Sequence, residues 1–134
     1  MTLQPSAATM TTREIIDTYY ASVNRGDWDT WLTLFAEDVV IDEQLAGHVE
    51  GAAILRGAVG GLKKGYSKFF NRPQHVVIEG NHACVVSEID AANAAGVPIK
   101  ARVANYFQIR GGKIAYMANF HDSRPFDPFT QQKI

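Results

Sequence analysis

A regular two-residue alternation runs through residues 97–110, Val97-Pro98-Ile99-Lys100-Ala101-Arg102-Val103-Ala104-Asn105-Tyr106-Phe107-Gln108-Ile109-Arg110. Successive side chains of a strand point to opposite faces, so this stretch predicts a long strand with one apolar face. The apolar face would carry Ile99, Ala101, Val103, Asn105, Phe107 and Ile109. The other face would carry Lys100, Arg102, Gln108 and Arg110, a set that indicates contact with solvent.

Asn105 is an amide on the apolar face of this predicted strand. A buried amide without hydrogen-bond partners costs on the order of 1–3 kcal/mol, so such side chains usually join a buried network or face a ligand. Two interpretations stay open from the sequence: Asn105 either bonds a neighbouring backbone group or lines a binding site.

Three helices are predicted within the first 70 residues, with one short strand between the second and the third. Thr11 and Glu14 have the spacing of a capping box, and the first helix after them carries an apolar stripe. That stripe consists of Ile16, Tyr19, Tyr20 and Val23. Asp27 is expected to cap a second helix over 28–35, whose core-facing side would hold Trp28, Trp31 and Phe35. A third helix is predicted over 52–70, loosened or broken near Gly60-Gly61, because a helical glycine costs about 1 kcal/mol relative to alanine.

Strands are predicted over 39–43, 74–79, 82–92, 97–110 and 113–122, with glycine-containing turns between the later ones. Helices followed by consecutive antiparallel strands indicate an α+β fold, in which a curved sheet wraps a helical layer. Residues 1–10 are expected to form a disordered tail, and residues 11–134 a single domain.

Composition excludes several classes of protein. The chain has 46% hydrophobic and 20% charged residues and a formal net charge of −1, so a nucleic-acid partner is not expected. Its single cysteine, Cys84, excludes an intramolecular disulfide and is expected to be a buried, inert thiol. There is neither a bilayer-length apolar run nor a signal-peptide pattern, so no membrane association is expected and a cytoplasmic location is predicted.

Two stretches and a hairpin resemble a known superfamily. They are 19–28 (YYASVNRGDW), 34–42 (LFAEDVVID) and the hairpin 106–117 (YFQIRGGKIAYM). Together they resemble the nuclear transport factor 2-like superfamily over Thr11–Asp122, nearest to its SnoaL-like and ketosteroid isomerase-like branches. The resemblance implies a cone-shaped fold with three N-terminal helices on a curved, mostly antiparallel sheet. Because this superfamily hosts isomerases, cyclases, lyases and non-enzymes, it does not by itself imply one reaction.

The resemblance also implies roles for four residues. The oxyanion-hole tyrosine of the ketosteroid isomerases falls at Tyr19, and their catalytic carboxylate falls at Glu43. Their second oxyanion donor, a protonated aspartate, falls at Asn105, and an aromatic wall residue falls at His121. Gln44 stands where that family has proline, and these departures argue against a steroid substrate.

The residues themselves leave alternatives open at each of these positions. Glu43 continues the alternation of Val39 and Ile41, so it either joins an apolar pocket, where desolvation favours a general base, or turns to water at the strand end. Asp42 would point the other way unless the register shifts by one residue. Tyr19 is either half of an oxyanion clamp or a core aromatic, and His121 is either an acid–base group or simply hydrogen-bonded.

Candidate substrate-binding residues are Trp31, Phe107, Met117, Asn119 and His75. His75 is included because related dehydratase branches use a strand histidine near this position, although their helix-one aspartate is replaced here by Asn24. The histidines are scattered without metal-ligand spacing, so no metal is predicted, and no cofactor motif is present.

Two functions follow as hypotheses. The first is cofactor-free acid–base catalysis on a small hydrophobic carbonyl compound, by an isomerase, cyclase or lyase. The second is a non-catalytic ligand-binding or dimerisation module of the same fold. In either case a homodimer is predicted, because strand 82–92 has apolar groups on both faces and Ala104 and Tyr106 interrupt the charged face of the long strand.

Overall fold

The computed structural model describes residues 9–132 of the 134-residue chain. Its helices are α1 (Thr12–Asn24), α2 (Trp28–Leu32), α3 (Ala52–Gly65) and α4 (Asp127–Thr130), and a short 3-10 turn (Arg124–Phe126) precedes α4. Its strands are β1 (Phe35–Glu43), β2 (Gly47–Glu50), β3 (Tyr66–Glu79), β4 (His82–Asn93), β5 (Pro98–Arg110) and β6 (Lys113–Phe120).

Residues 1–10 were predicted to form a tail, and residues 1–8 of that tail lie outside the described residues. Met10 is partly buried and packs against the main hydrophobic core. That residues 11–134 form a single domain stays a prediction.

The six strands form one curved, open sheet in the order β2-β1-β6-β5-β4-β3. All neighbouring pairs are antiparallel except β1 and β6, which run parallel. The helices α1 and α2 come first in the chain, α3 follows β1 and β2, and all three pack with the sheet around a common core. The predicted α+β class with a curved, mostly antiparallel sheet is confirmed.

The helix starts follow the local sequence. The Thr11 hydroxyl accepts the backbone N–H of Glu14 at 3.1 Å, and the Glu14 carboxylate accepts the backbone N–H of Thr11 at 2.9 Å, which completes the capping box. Asp27 caps α2 by accepting the backbone N–H of Thr30 at 3.1 Å. Both caps agree with the prediction, because they depend only on residues three apart.

Several boundaries were wrong because pairing with distant strands overrides local propensity. Helix α2 ends at Leu32 rather than at residue 35, since Phe35 already pairs with Ile114 of β6. Helix α3 is unbroken at Gly60-Gly61 but ends at Gly65, where β3 begins and pairs with β4 from Tyr66 onward. Between the predicted strand over 39–43 and the predicted helix over 52–70, the structure contains β2, which forms a hairpin with β1. The last strand ends at Phe120 rather than at residue 122.

The central strands separate an inner face from an outer face. On β4 the buried residues Val85, Ser87 and Ile89 face inward, in register with Asn105, Val103 and Ala101 of β5. Cys84 lies on the outer face and is exposed, so its predicted burial was wrong. Within residues 9–132 no helix is long and apolar enough to cross a membrane.

Candidate active site

The inner face of the sheet, the three N-terminal helices and the C-terminal segment enclose a cavity of about 300 Å³. This volume is at the lower end of the range typical of small-molecule sites. The predicted site residues that line the cavity are Tyr19, Trp31, Glu43, Asn105, Met117, Asn119 and His121. Most of the remaining wall is aliphatic or aromatic, and no lysine or arginine contributes to the part of it that the described residues form.

Glu43 is half-buried at the end of β1 and lines the cavity. Its Oε2 accepts the backbone N–H of Leu45 at 2.6 Å and also that of Ala46. These bonds anchor one carboxylate oxygen to the loop between β1 and β2. A carboxylate has about four acceptor positions, so the group keeps acceptor capacity for a ligand.

Asp42 takes no part in the cavity wall. Its carboxylate accepts the Tyr116 hydroxyl at 2.6 Å and lies 2.6 Å from His48 Nδ1 on the outer side of β1. The Tyr116 hydroxyl and the His48 imidazole lower the pKa of Asp42, and the carboxylate in turn raises the pKa of His48. The one-residue register error that would exchange Asp42 and Glu43 is therefore absent from the structure.

Tyr19 is 7% exposed, and its ring packs edge-on against Phe107 with ring centroids 5.1 Å apart. Burial raises the pKa of Tyr19 to about 12, the neighbouring Trp31 indole offsets part of that rise, and the charge of Glu43 adds to it. A phenol with this pKa keeps its proton at neutral pH. Tyr19 is therefore a neutral hydrogen-bond donor in the cavity wall.

Asn105 is 3% exposed, and its amide nitrogen is engaged within the sheet. Nδ2 donates to the Val85 carbonyl at 3.3 Å and to Ser87 Oγ at 3.0 Å. A backbone carbonyl can only accept, so this arrangement fixes which side of the amide is the nitrogen. Both amide hydrogens are used, and only Oδ1 remains for a ligand. In this geometry the Asn105 atom that remains for a ligand is an acceptor, whereas the predicted oxyanion role needs a donor.

Asn119 supplies the donor that Asn105 does not. The two asparagines lie directly opposite each other on β5 and β6. Asn119 Oδ1 accepts the backbone N–H of Gln44 at 2.9 Å, which orients the amide and leaves Nδ2 without a bond to any residue in 9–132. A neighbouring donor and acceptor, Asn119 Nδ2 and Asn105 Oδ1, therefore belong to the same wall of the cavity.

His121 lies just beyond the end of β6 and is half-buried against Phe126, with ring centroids 4.7 Å apart. Its Nδ1 lies 2.7 Å from the carbonyl oxygen of Asp122. Because that carbonyl only accepts, Nδ1 carries a hydrogen, and in the neutral ring Nε2 is the acceptor. This leaves His121 able to accept a proton at the cavity.

Two predicted substrate-binding residues are outside the cavity wall. His75 is exposed on the outer face of β3, where it pairs with Val86 of β4 after a bulge between Pro73 and His75. It points away from the cavity and does not belong to its wall. Phe107 is fully buried behind Tyr19 and Tyr20, so it supports the wall without lining it.

Sequence reasoning missed several wall residues. Tyr66 opens β3 and stacks on Phe129 of α4 with ring centroids 4.2 Å apart; burial and the charge of Glu43 raise the pKa of its hydroxyl. Phe126 and Phe129 lie in the short C-terminal segment, whose sequence has no periodic pattern that could place it over the cavity. Asn71 of β3 lies between the predicted helix over 52–70 and the predicted strand over 74–79, so no pattern marked it as a wall residue.

A metal site finds no support among residues 9–132, where no three His, Cys, Asp or Glu side chains are grouped to hold an ion. The polar groups of the cavity are a carboxylate, a histidine, two phenols, two indoles and three amides. This set can hydrogen-bond a carbonyl or hydroxyl compound and can transfer protons.

The fold and the cavity define an α+β domain in which a curved open sheet and three helices enclose an apolar chamber with a few polar groups. The sequence profile of the SnoaL-like domain matches residues 16–117, and the chain therefore belongs to the SnoaL-like family of the nuclear transport factor 2-like superfamily. A comparison with curated protein sequences finds no match.

Solved structures share the fold at low sequence identity. A nuclear transport factor 2-like protein of unknown function from Burkholderia pseudomallei K96243 has 12% identity and a TM-score of 0.81, over 90% of this chain and 98% of that one. A putative polyketide cyclase from Pseudomonas putida KT2440 has 23% identity and a TM-score of 0.76, over 92% and 99%. TerC, co-crystallised with polyporic acid, has 17% identity and a TM-score of 0.78, over 90% and 98%. At these identities the likeness concerns the fold.

Proposed function

We propose that this protein catalyses cofactor-free acid–base chemistry, as an isomerase, cyclase or lyase, on a small hydrophobic carbonyl compound. The observation that carries the proposal is the half-buried carboxylate of Glu43 in the wall of a largely apolar cavity, beside neutral hydrogen-bond donors. Membership of the SnoaL-like family and the likeness to a putative polyketide cyclase support it. The absence of lysine and arginine from the described wall favours a neutral substrate.

The proposed chemistry is proton transfer at a carbon next to a carbonyl. Glu43 takes the proton, the C–H electron pair forms the enolate, and the negative charge moves to the carbonyl oxygen. The Tyr19 hydroxyl and Asn119 Nδ2 then donate hydrogen bonds to that oxygen. Return of the proton to the same or another carbon completes an isomerisation, whereas a second electrophile in the substrate would lead to cyclisation.

Deuterium exchange tests this step without knowledge of the natural substrate. 2-Tetralone has acidic C–H groups beside its carbonyl, and NMR follows their exchange in D₂O. Wild-type protein is expected to accelerate exchange over buffer, and Glu43→Gln to lose at least about 100-fold of that acceleration. Asp42→Asn is the matched control, because Asp42 is adjacent on β1 but faces outward. Equal exchange in wild-type and Glu43→Gln protein would refute the proposal.

A non-catalytic binding module is the second candidate, and one observation favours it. The bonds from Leu45 and Ala46 to Glu43 also suit a glutamate whose role is to shape the loop over the cavity. Under this alternative the protein binds 2-tetralone or polyporic acid, the ligand named with TerC, in a thermal-shift assay. It would then produce no exchange above buffer at any pH between 5 and 8.

The outer face of the sheet supports the proposed homodimer. Val77 is 66% exposed and Phe120 61% exposed, and both lie on this face with Cys84 and Tyr106. Apolar side chains on both faces of a sheet usually mean that both faces are covered. A second copy of the chain on this face would form a two-fold symmetric pair and leave the cavity within each subunit.

A further inference from the structure

Asn71 is a buried amide in the cavity wall that the proposed reaction does not use. The residue is 6% exposed, and its Oδ1 is buried without a hydrogen-bond partner among residues 9–132. No hydrogen bond from Nδ2 to any residue in that range is present either. An unsatisfied buried amide is costly, and natural structures contain few of them. Such a group in a cavity wall indicates a ligand that completes it.

The backbone at Asn71 is held firmly in place from α1. Asn24 Nδ2 donates to the Asn71 carbonyl at 2.9 Å, and the Asn71 backbone N–H donates to Asn24 Oδ1 at 2.7 Å. This two-point contact uses only backbone atoms of Asn71. It fixes the position of the residue on the edge strand β3 and leaves the side-chain amide unpaired. Asn24 therefore has a positioning role, in contrast to the catalytic dyad of related families.

Asn71 and Glu43 are on different walls of the cavity. Glu43 belongs to β1 and Asn71 to β3, and the strands β6, β5 and β4 lie between them in the sheet. Strands in a sheet are about 4.8 Å apart, so four such steps separate the two residues along the curved surface. They are therefore treated as two separate binding positions in the cavity wall. A ligand that satisfies both must carry polar groups at two separate positions.

We infer that the cavity accepts a bipolar ligand, with a carbonyl at the Glu43 end and a hydroxyl or phenol group that bonds the Asn71 amide. A hydroxyl both donates and accepts, so it matches Oδ1 and Nδ2 of one amide. A charged group is not favoured, because the described cavity wall contains no lysine or arginine to pair with an anion. The inference rests on the proposed carbonyl site and adds a substrate class to it.

Matched pairs of probes test the inference by binding alone. The first pair is 6-hydroxy-2-tetralone and 6-methyl-2-tetralone, and the longer second pair is 4-acetyl-4′-hydroxybiphenyl and 4-acetyl-4′-methylbiphenyl. Trp28 and Trp31, the only tryptophans, both line the cavity, so quenching of their fluorescence reports binding. The wild-type protein is expected to bind the hydroxyl member of at least one pair about fivefold or more tightly than its methyl partner.

Asn71→Leu should remove that preference while keeping the fold, because the bonds to Asn24 involve only the backbone. The methyl probes should bind this variant as well as they bind the wild-type protein or better, and Asn71→Ser should retain part of the hydroxyl preference. Equal affinities within both pairs in the wild-type protein, a preference that persists in Asn71→Leu, or no binding of any probe would overturn the inference. The preference should also persist in Glu43→Gln, so failure of catalysis and failure of this inference give different results.

Discussion

Replacement of Tyr19 by phenylalanine separates the contribution of this hydroxyl to stability from its proposed contribution to catalysis. The pKa of Tyr19 is about 12 in the folded protein, compared with 10.0 for an ordinary tyrosine. As pH rises, the unfolded chain therefore loses the hydroxyl proton of Tyr19 before the folded protein does. The stability contributed by the protonated hydroxyl is fully present below pH 10 and is lost between pH 10 and 12. From the two-unit difference, the loss due to Tyr19 is about 1 kcal/mol at pH 11 and about 3 kcal/mol well above pH 12.

Urea unfolding followed by tryptophan fluorescence at pH 8 and pH 11 measures this loss. At pH 8, the free energy of unfolding of Tyr19→Phe should differ from that of the wild-type protein by less than about 1 kcal/mol, because the hydroxyl makes no well-formed bond to residues 9–132. Between pH 8 and pH 11, the free energy of unfolding of the variant should fall by about 1 kcal/mol less than that of the wild-type protein. In the tetralone exchange assay the same variant should lose about 100-fold, the usual effect of removing an oxyanion donor.

Tyr20→Phe is the matched control. Burial also raises the pKa of Tyr20, but this residue lies outside the cavity wall. Its replacement should reduce the alkaline loss of stability and leave exchange unchanged. The assignment of Tyr19 to a buried donor site would be refuted if Tyr19→Phe lost as much unfolding free energy at pH 11 as the wild-type protein. It would also be refuted if both variants slowed the deuterium exchange of 2-tetralone equally.

Three further predictions concern packing and assembly. A Cβ at Gly65 would overlap the Phe129 ring, so Gly65→Ala should destabilise the protein by about 1–3 kcal/mol in urea unfolding and loosen α4; an unchanged midpoint would contradict this contact. Asn24→Ala removes two hydrogen bonds and should lower stability by about 1–3 kcal/mol, whereas an unchanged melting temperature would count against the two-point contact. Phe120→Arg should convert the proposed dimer to a species of 14.8 kDa in sedimentation equilibrium, and a wild-type protein already at that mass would refute the dimer.

Local pattern was enough to predict the elements whose structure depends on neighbouring residues in the chain. The alternation through 97–110 placed Val103, Asn105 and Phe107 on the buried face of β5. The spacing of Thr11 and Glu14 located the start of α1. These signals arise within a few residues, and tertiary contacts do not change them.

Features that depend on distant partners were not predictable from pattern. The strand character of 66–70 comes from pairing with β4, against a helical tendency that had extended α3 through this stretch. The direction of the Asn105 amide is set by the Val85 carbonyl on the neighbouring strand, and that of Asn119 by the backbone of Gln44. Donor and acceptor roles at the site therefore became assignable only when these partners were in place.

The C-terminal segment is the other part of the site that sequence reasoning did not place. Phe126 and Phe129 cover the cavity because Gly65 has no side chain and the Gln132 side chain donates to the Gly65 carbonyl at 2.8 Å. A short 3-10 turn followed by one turn of helix has no hydrophobic period long enough to detect. Gly65 is thus a point of close approach between α3 and α4.

A crystal structure of the wild-type protein with 2-tetralone bound would show directly whether the cavity holds a carbonyl compound in the proposed way. The ring is expected to occupy the cavity, with the carbonyl oxygen within about 3.2 Å of the Tyr19 hydroxyl or Asn119 Nδ2 and an adjacent carbon facing the Glu43 carboxylate. A ligand whose carbonyl points away from Tyr19 and Asn119, or that has no acidic carbon next to Glu43, would contradict the proposed arrangement.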